Sequence, residues 1–241
     1  MSSWLFDLGN TRLKYAALAD DGRIGPLQAV AHDVAGHWLD GLPQGEVAYL
    51  ASVVAQPLRV RLLLALATRF RRIEHAATLP RCGRLRIAYA QPRRLGVDRF
   101  LALLALAARS PAQPALVVGV GTALTIDLLD ADGLHRGGRI APSPALMRAA
   151  LHAQVPALPP AGGDYREFGG DTGDALVSGC DGAALGLIER SLGQAAQLLG
   201  TPPQLHVHGG GAAALAPRLP AHRAEPALVL EGLAHWARAS A

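Results

Sequence analysis

Asp7-Leu8-Gly9-Asn10-Thr11-Arg12-Leu13-Lys14 is the stretch on which the reading of this chain turns. It holds the only Asn and the only Lys of a sequence that otherwise uses Arg for positive charge. Trp4 to Leu8 reads as a buried strand, Gly9-Asn10 as a tight turn and Arg12 to Leu18 as the returning strand. A glycine lets backbone N–H groups come close to a phosphate. Asn10 and Thr11 add neutral donors, and Lys14 can reach outer phosphates as a compact point charge. Asp7, at the strand end, can hold Mg²⁺ through water, because that ion keeps much of its hydration. The same Gly-Asn pair also makes an ordinary hairpin turn.

Composition narrows the class. The chain has 241 residues, enough for one large domain or two small ones with a sizeable core. Half of it is hydrophobic and 17% is charged, which is globular rather than disordered. The net charge of +4 is mild, and aromatics are scarce where Arg thickens between Arg59 and Arg99. A nucleic-acid binder clusters its charge and interleaves aromatics, so an anionic small substrate is the better expectation. Cys82 and Cys180 give neither a disulfide framework nor metal-ligand spacing. Trp4-Leu5-Phe6 is too short for a signal peptide, and the run Leu101 to Ala108 is too short to span a membrane. A reduced, cytoplasmic setting is expected, with no membrane partner.

Outward from the first turn, Val47 to Val53 is a further strand, and Pro57 opens a helix expected to run to Phe70, with Leu58, Leu62, Leu66 and Phe70 on one face. Leu85 to Tyr89 is strand-like and Val97 to Arg109 a strongly apolar helix. Pro111 and Pro114 mark a linker that divides the chain into halves 1–112 and 113–241. Leu116 to Val118 and Leu124 to Leu129 are strands, Pro144 to Ala153 a helix, and 156–170 a Pro/Gly-rich loop. Thr172 can cap a long helix from Gly173 to Leu199 whose small residues suit close helix approach. Leu205 to Val207 is a strand, and two C-terminal helices follow.

The halves echo each other: Phe6-Asp7-Leu8-Gly9-Asn10-Thr11 against Val118-Gly119-Val120-Gly121-Thr122-Ala123. This predicts a duplicated α/β unit with a cleft between the halves. No G-x-x-x-x-G-K-[ST] is present, so there is no P-loop. Leu124 stands where a dinucleotide fingerprint needs its third Gly, and the following residues read as strand. Gly121-Thr122 resembles a second phosphate clamp. Asp127 fits either a cleft-facing or a structural position. Glycines 209 to 211 suit either adenosine packing or a tight strand-to-helix turn. His206 and His208 share one strand face without completing a metal site.

Five motifs in order carry a resemblance. Asp7-Leu8-Gly9-Asn10-Thr11-x-x-Lys14, Pro92-x-x-Leu95-Gly96-Val97-Asp98-Arg99, Gly121-Thr122-Ala123-x-Thr125-Ile126-Asp127, Gly137-Gly138-x-Ile140-Ala141-Pro142 and Gly170-Asp171-Thr172 resemble those of the type III pantothenate kinases. That family includes proteins described as Bvg accessory factors.

The resemblance implies the acetate-and-sugar-kinase/Hsp70/actin fold, two ribonuclease-H-like halves around an ATP cleft. It implies ATP-dependent phosphorylation of pantothenate to 4'-phosphopantothenate, the first step to coenzyme A, with Mg²⁺ as cofactor. Asp7, Leu8, Gly9, Asn10, Thr11, Arg12, Leu13 and Lys14 would then cradle ATP phosphates, with Thr122 also on ATP. Tyr89, Gly96, Val97, Asp98, Arg99 and Thr172 would contact pantothenate, with Asp98 as general base. It implies a homodimer, and a potassium or ammonium ion held by an Asp where this chain has Gly119, which supplies no carboxylate. Ser143 stands for the family's Gly after Ala-Pro. Two alternatives remain at this stage: a non-catalytic accessory homologue that binds nucleotide, and a kinase for another small hydroxyl substrate such as a sugar.

Overall fold

The computed structural model describes residues 2–33, 35–109 and 113–240. Pro111 of the expected linker lies outside them. In chain order the elements are β1 (Ser3–Leu8), β2 (Arg12–Leu18), β3 (Gln28–Ala31), β4 (Gly45–Ser52), α1 (Gln56–Ala67), β5 (Phe70–His75), β6 (Arg81–Cys82), β7 (Leu85–Arg86) and α2 (Val97–Ala108). They continue with β8 (Ala115–Val120), β9 (Ala123–Leu129), β10 (His135–Pro142), α3 (Pro144–Gln154), α4 (Thr172–Leu199), β11 (Gln204–His208), α5 (Ala212–Leu215), β12 (His222–Ala224) and α6 (Leu228–Ser240).

Two five-stranded sheets repeat one topology, β3-β2-β1-β4-β5 and β10-β9-β8-β11-β12. In each, the first two strands form an antiparallel hairpin, and the first strand then pairs in parallel with the strand after the crossover. The duplication expected from the two echoing turns is thus present through whole sheets. The chain separates into two compact units, residues 1–112 with 132–135 and 227–241, and residues 113–131 with 136–226.

In the first unit, one sheet face buries Phe6, Leu8, Leu13, Leu50, Trp38, Leu62, Leu66 and Phe70 in a single core. Each fully buried large apolar side chain contributes about 1.5–3 kcal/mol. Helix α2 is buried from Phe100 to Ala107 on every side. A helix that is apolar all round needs cover all round, and α6 supplies much of it within the same unit. Gly232 of α6 rides directly on α2: a Cβ there would lie 1.9 Å from the Leu101 carbonyl oxygen. Arg109 closes the contact with a 2.8 Å ion pair to Glu231. In the second unit, Leu116, Val118, Leu124, Ile126, Leu205 and Val207 face Leu185 and Ile188 of α4.

Several boundaries differ from the sequence expectation. Helix α1 stops at Ala67 with Thr68 as its C-cap, and Phe70 opens β5. Phe70 lies four residues after Leu66, which imitates a helical face. From the strand it instead meets the edge of Phe6 at 5.6 Å, and that tertiary contact decides its place. The strand expected over Leu85 to Tyr89 keeps only Leu85–Arg86. Asp171, not Thr172, caps α4, accepting from the Asp174 N–H at 2.9 Å. Only α6 is a long C-terminal helix; α5 has four residues, and β12 intervenes. A Cβ at Gly179, Gly182 or Gly186 would meet nothing within 4 Å, so no helix of the same chain closes on α4 there among the described residues.

Candidate functional site

In the first unit, Asp7 lies one residue before the end of β1, opposite Lys14 of β2 and Ala51 of β4. Directly opposed residues point to one face of a sheet, so the carboxylate and the ammonium share a side. The turn between them is closed by the Gly9 N–H donating to the Arg12 carbonyl at 3.1 Å. Asn10, Thr11 and Arg12 are exposed, whereas Leu8 and Leu13 are sealed in the core, so those two leucines offer a ligand only their backbone. The turn is steadied from behind by His32, whose N–H donates to the Thr11 carbonyl at 3.2 Å. The His32 ring lies 4.6 Å from that of Trp38. Burial holds this imidazole below its ordinary range, against the opposing pull of the Asn10 carbonyl. His32 was not legible in the sequence, because its contact depends on β3 pairing with β2.

Asp98 sits in the first turn of α2 of the same unit and accepts from the Arg99 N–H at 2.9 Å. The start of the helix is fixed by the buried Thr78, whose hydroxyl donates to the Leu95 carbonyl at 2.9 Å. Gly96 leaves room for the carboxylate: a Cβ there would lie 2.7 Å from Asp98 Oδ1. Its backbone is ordinary extended, so a side chain is unwelcome only for lack of space. Gly96→Ala is therefore expected to keep the fold and swing Asp98 out of position, lowering kcat about tenfold or more. A thermal melt and steady-state kinetics check this, and an unchanged kcat would refute it.

The carboxyls of Asp7 and Asp98 feel each other. Burial pushes the Asp7 pKa from 3.8 up to about 7; Lys14 pulls it down, and the negative charge of Asp98 adds to the rise. Asp98, far from Asp7 in sequence, is thus within electrostatic reach of the Asp7–Lys14 pair. Arg99 is only 6% exposed and Val97 is buried, so α2 presents Asp98 while its neighbours face inward. Tyr89 is half-buried and rests on His135, ring centroids 5.6 Å apart. His135 is wholly buried and belongs to the turn 132–135, which pairs with this unit through the Arg86 N–H to Gly133 carbonyl bond of 2.9 Å.

In the second unit, Thr122 is exposed in the β8–β9 turn, where the Gly121 N–H donates to the Ala123 carbonyl at 3.0 Å. Thr172 is exposed at the first position of α4. Asp127 is buried opposite Val117. His206 Nδ1 lies 2.8 Å from Glu225 Oε1, a carboxylate partner the sequence did not reveal. Among the described residues no cluster of three or more metal-ligating side chains occurs. Glycines 209 to 211 form a tight turn against β8. Gly209 has φ 97° and lies on the Val120 carbonyl, which also accepts from the Gly211 N–H at 3.0 Å. Ser143 adopts extended backbone and caps α3 by accepting from the Leu146 N–H, so this position does not require glycine.

Comparison with known proteins decides the family. The family model described as type III pantothenate kinase matches residues 4–194. The chain belongs to the type III pantothenate kinase family. A type III pantothenate kinase of Xanthomonas campestris pv. campestris (strain B100) is 58% identical over 100% of this chain and 99% of that protein. One of Stenotrophomonas maltophilia (strain K279a) is 58% identical over 98% of each. Among solved structures, a Baf family protein of Campylobacter jejuni aligns with TM-score 0.62 at 20% identity, covering 95% of this chain and 94% of that one. A ROK family glucokinase of Streptomyces griseus, in complex with glucose and AMPPNP, aligns with TM-score 0.50 at 14% identity, covering 99% of each. At such identities these structures speak for the fold alone. The type III pantothenate kinase family is therefore set here on the duplicated fold of the sugar kinases and their kin.

Proposed function

We propose that this chain transfers the terminal phosphoryl group of ATP to the terminal hydroxyl of pantothenate, giving 4'-phosphopantothenate and ADP, the first step of coenzyme A synthesis. The observation that carries the mechanism is the meeting of Asp98 with the Asp7–Lys14 pair in one unit. Phosphoryl transfer asks for positioning and charge neutralisation more than for a strong base. The pantothenate hydroxyl oxygen bonds to the γ-phosphorus as the bond to the ADP oxygen breaks. Asp98 orients that hydroxyl and takes its proton late.

In the first unit Lys14, with the exposed donors Asn10, Thr11 and Arg12 and the backbone of Leu8, Gly9 and Leu13, receives phosphates; in the second unit Thr122 is the exposed hydroxyl proposed for ATP. Tyr89 and Gly96 are the first unit's candidates for the acceptor, with the buried Val97 and Arg99 offering it their backbone, and Thr172 is the exposed candidate of the second unit. The half-buried Asp7 carboxylate suits Mg²⁺ held through water, and the ion would spread the charge of the phosphates it accompanies. Only the ionised carboxylate serves. A raised pKa means that Asp7 is protonated below about 7 and ionised above it. The kcat/KM for MgATP is accordingly expected to climb with pH up to about 7 and then level, whereas Asp7→Asn is low and flat across the range. A wild-type profile already flat from pH 5.5 upward speaks against this role for Asp7.

A homodimer fits the surface of the second unit. Ile140, Leu146, Leu151 and Val155 are exposed on β10, α3 and the residue after it, and Phe168 is 96% exposed. Exposed apolar side chains on β10 and α3 offer a surface for a second copy to cover. Light scattering should return twice the chain mass, and Phe168→Asp with Ile140→Asp should return a single one. A cytoplasmic setting accords with two free, buried cysteines, and no helix among the described residues is long and apolar enough to cross a membrane.

The deciding experiment is ADP release with pantothenate as acceptor, run beside a panel of sugars. Turnover with pantothenate alone is expected. Nucleotide binding without turnover would point instead to an accessory protein, and turnover with a sugar to another small-hydroxyl kinase.

A further inference from the structure

The monovalent cation implied by the family resemblance meets a site that does not fit it. Gly119 is the last but one residue of β8, shortly before the Gly121-Thr122 turn, paired with Thr125 of β9 on one side and His208 of β11 on the other. Cross-strand partners in register share a face. The space a side chain at 119 would need is already taken. A Cβ built there lies 2.7 Å from Thr125 Oγ1, 3.0 Å from His208 Nε2 and 3.2 Å from His208 Cε1. Position 119 therefore lacks a carboxylate, and a side chain there would have to displace the Thr125 hydroxyl and the imidazole edge that fill the volume.

The placement of that imidazole is not incidental. β8 and β11 are parallel, and His208 stands at the carboxyl end of its strand. Ligands of parallel α/β sheets gather at the carboxyl ends of the strands. The chain leaving His208 is pinned at once, because Gly209 and Gly211 both close on Val120, the residue before Gly121. The backbone that carries the ring is thus held in fixed relation to that turn, as a binding group needs its support to be.

We propose that His208, which with Thr125 fills the space a side chain at 119 would need, is a nucleotide-binding residue whose imidazole N–H takes the place of an external potassium or ammonium ion beside the Gly121-Thr122 turn. An ion recruits phosphate by its charge; an N–H at this end of the strand offers the positive end of a dipole and needs no ion from solution. Gly119 and His208 are then one substitution in two parts, with the small residue making room for the ring. This rests on the kinase reading for its substrate, but not for its test.

The test is titration calorimetry of Mg²⁺ and AMPPNP against the full-length protein, in Tris chloride and in potassium or ammonium chloride. Wild-type affinity should differ by less than about twofold between salts. His208→Ala should weaken it by about tenfold or more in Tris, with pantothenate binding unmoved. His208→Gln, which keeps a donor of similar reach, should recover most of the loss. The double variant Gly119→Asp with His208→Ala should bind well only when potassium or ammonium is present.

Two results overturn the proposal: wild-type affinity at least about tenfold tighter in potassium or ammonium, or His208→Ala indistinguishable from wild type in every salt. If His208→Ala fails to fold, His208→Gln against His208→Leu gives the same comparison. Calorimetry reads binding without turnover, so failure of pantothenate phosphorylation would strike the proposed reaction and leave this result standing.

Discussion

Asp98→Asn is expected to lower kcat by about 10²- to 10⁴-fold while KM for pantothenate moves by less than about threefold. The side chain keeps its size, and the remaining oxygen can still accept from the Arg99 N–H, so the start of α2 stays in place. What disappears is the group that receives the hydroxyl proton. A second readout separates this from simple damage. Asp98 contributes to the raised pKa of Asp7, so removing its charge should move the acidic limb of the MgATP profile to lower pH. Steady-state kinetics from pH 5.5 to 8.5 give both numbers in one experiment. A variant that keeps more than about half of the wild-type kcat would remove Asp98 from the chemistry.

Gly232→Ala is expected to be the most destabilising single methyl addition in the chain. The new Cβ would sit 1.9 Å from the Leu101 oxygen, 2.5 Å from its carbonyl carbon and 2.8 Å from its Cα. These are backbone atoms in the middle of a helix, and no rotamer change relieves the clash. The two helices must part, opening the apolar surface of α2 and straining the Arg109–Glu231 pair. Overpacking of this kind costs about 3 kcal/mol or more, or about 6–12 °C in Tm for a chain of this length. Because α2 carries Asp98, activity should fall with it. Gly193→Ala supplies the contrast: its Cβ meets open space on an exposed face of α4, and a helical Gly-to-Ala change there should add about 0.5–1 kcal/mol. Thermal melts of the two variants side by side check the pair, and equal Tm values would show that the α2–α6 contact yields easily.

The parts of the molecule written in local patterns were legible in the sequence. The β1–β2 hairpin, the apolar α2 and the long α4 each follow from residues within one window. So did the duplication, since both hairpins carry a Gly-Thr-like turn. What escaped was non-local. β5 was hidden because Phe70 continues the spacing of Leu66, and only its contact with Phe6 makes it a strand residue. β12 has three residues between Pro220 and Pro226, too few to show a period. Among functional candidates, Asp7, Lys14 and Asp98 stood out by motif. Thr78, His32 and His135 act through residues distant in sequence and gave no signal. His208 was visible as a histidine, but its register opposite Gly119 was not.

The first unit takes strands from the start of the chain and closes with α6 near its end. During synthesis, then, α2 emerges with an apolar surface on all sides long before the helix that shields it exists. A nascent chain in that condition is a client for a chaperone, and its first unit matures only after the whole second unit has left the ribosome. Removing α6 would therefore cripple the unit that is made first. A circular permutant that places α6 ahead of β1 should fold faster than the natural order, because the α6–β1 contact, which now spans almost the whole sequence, would become local.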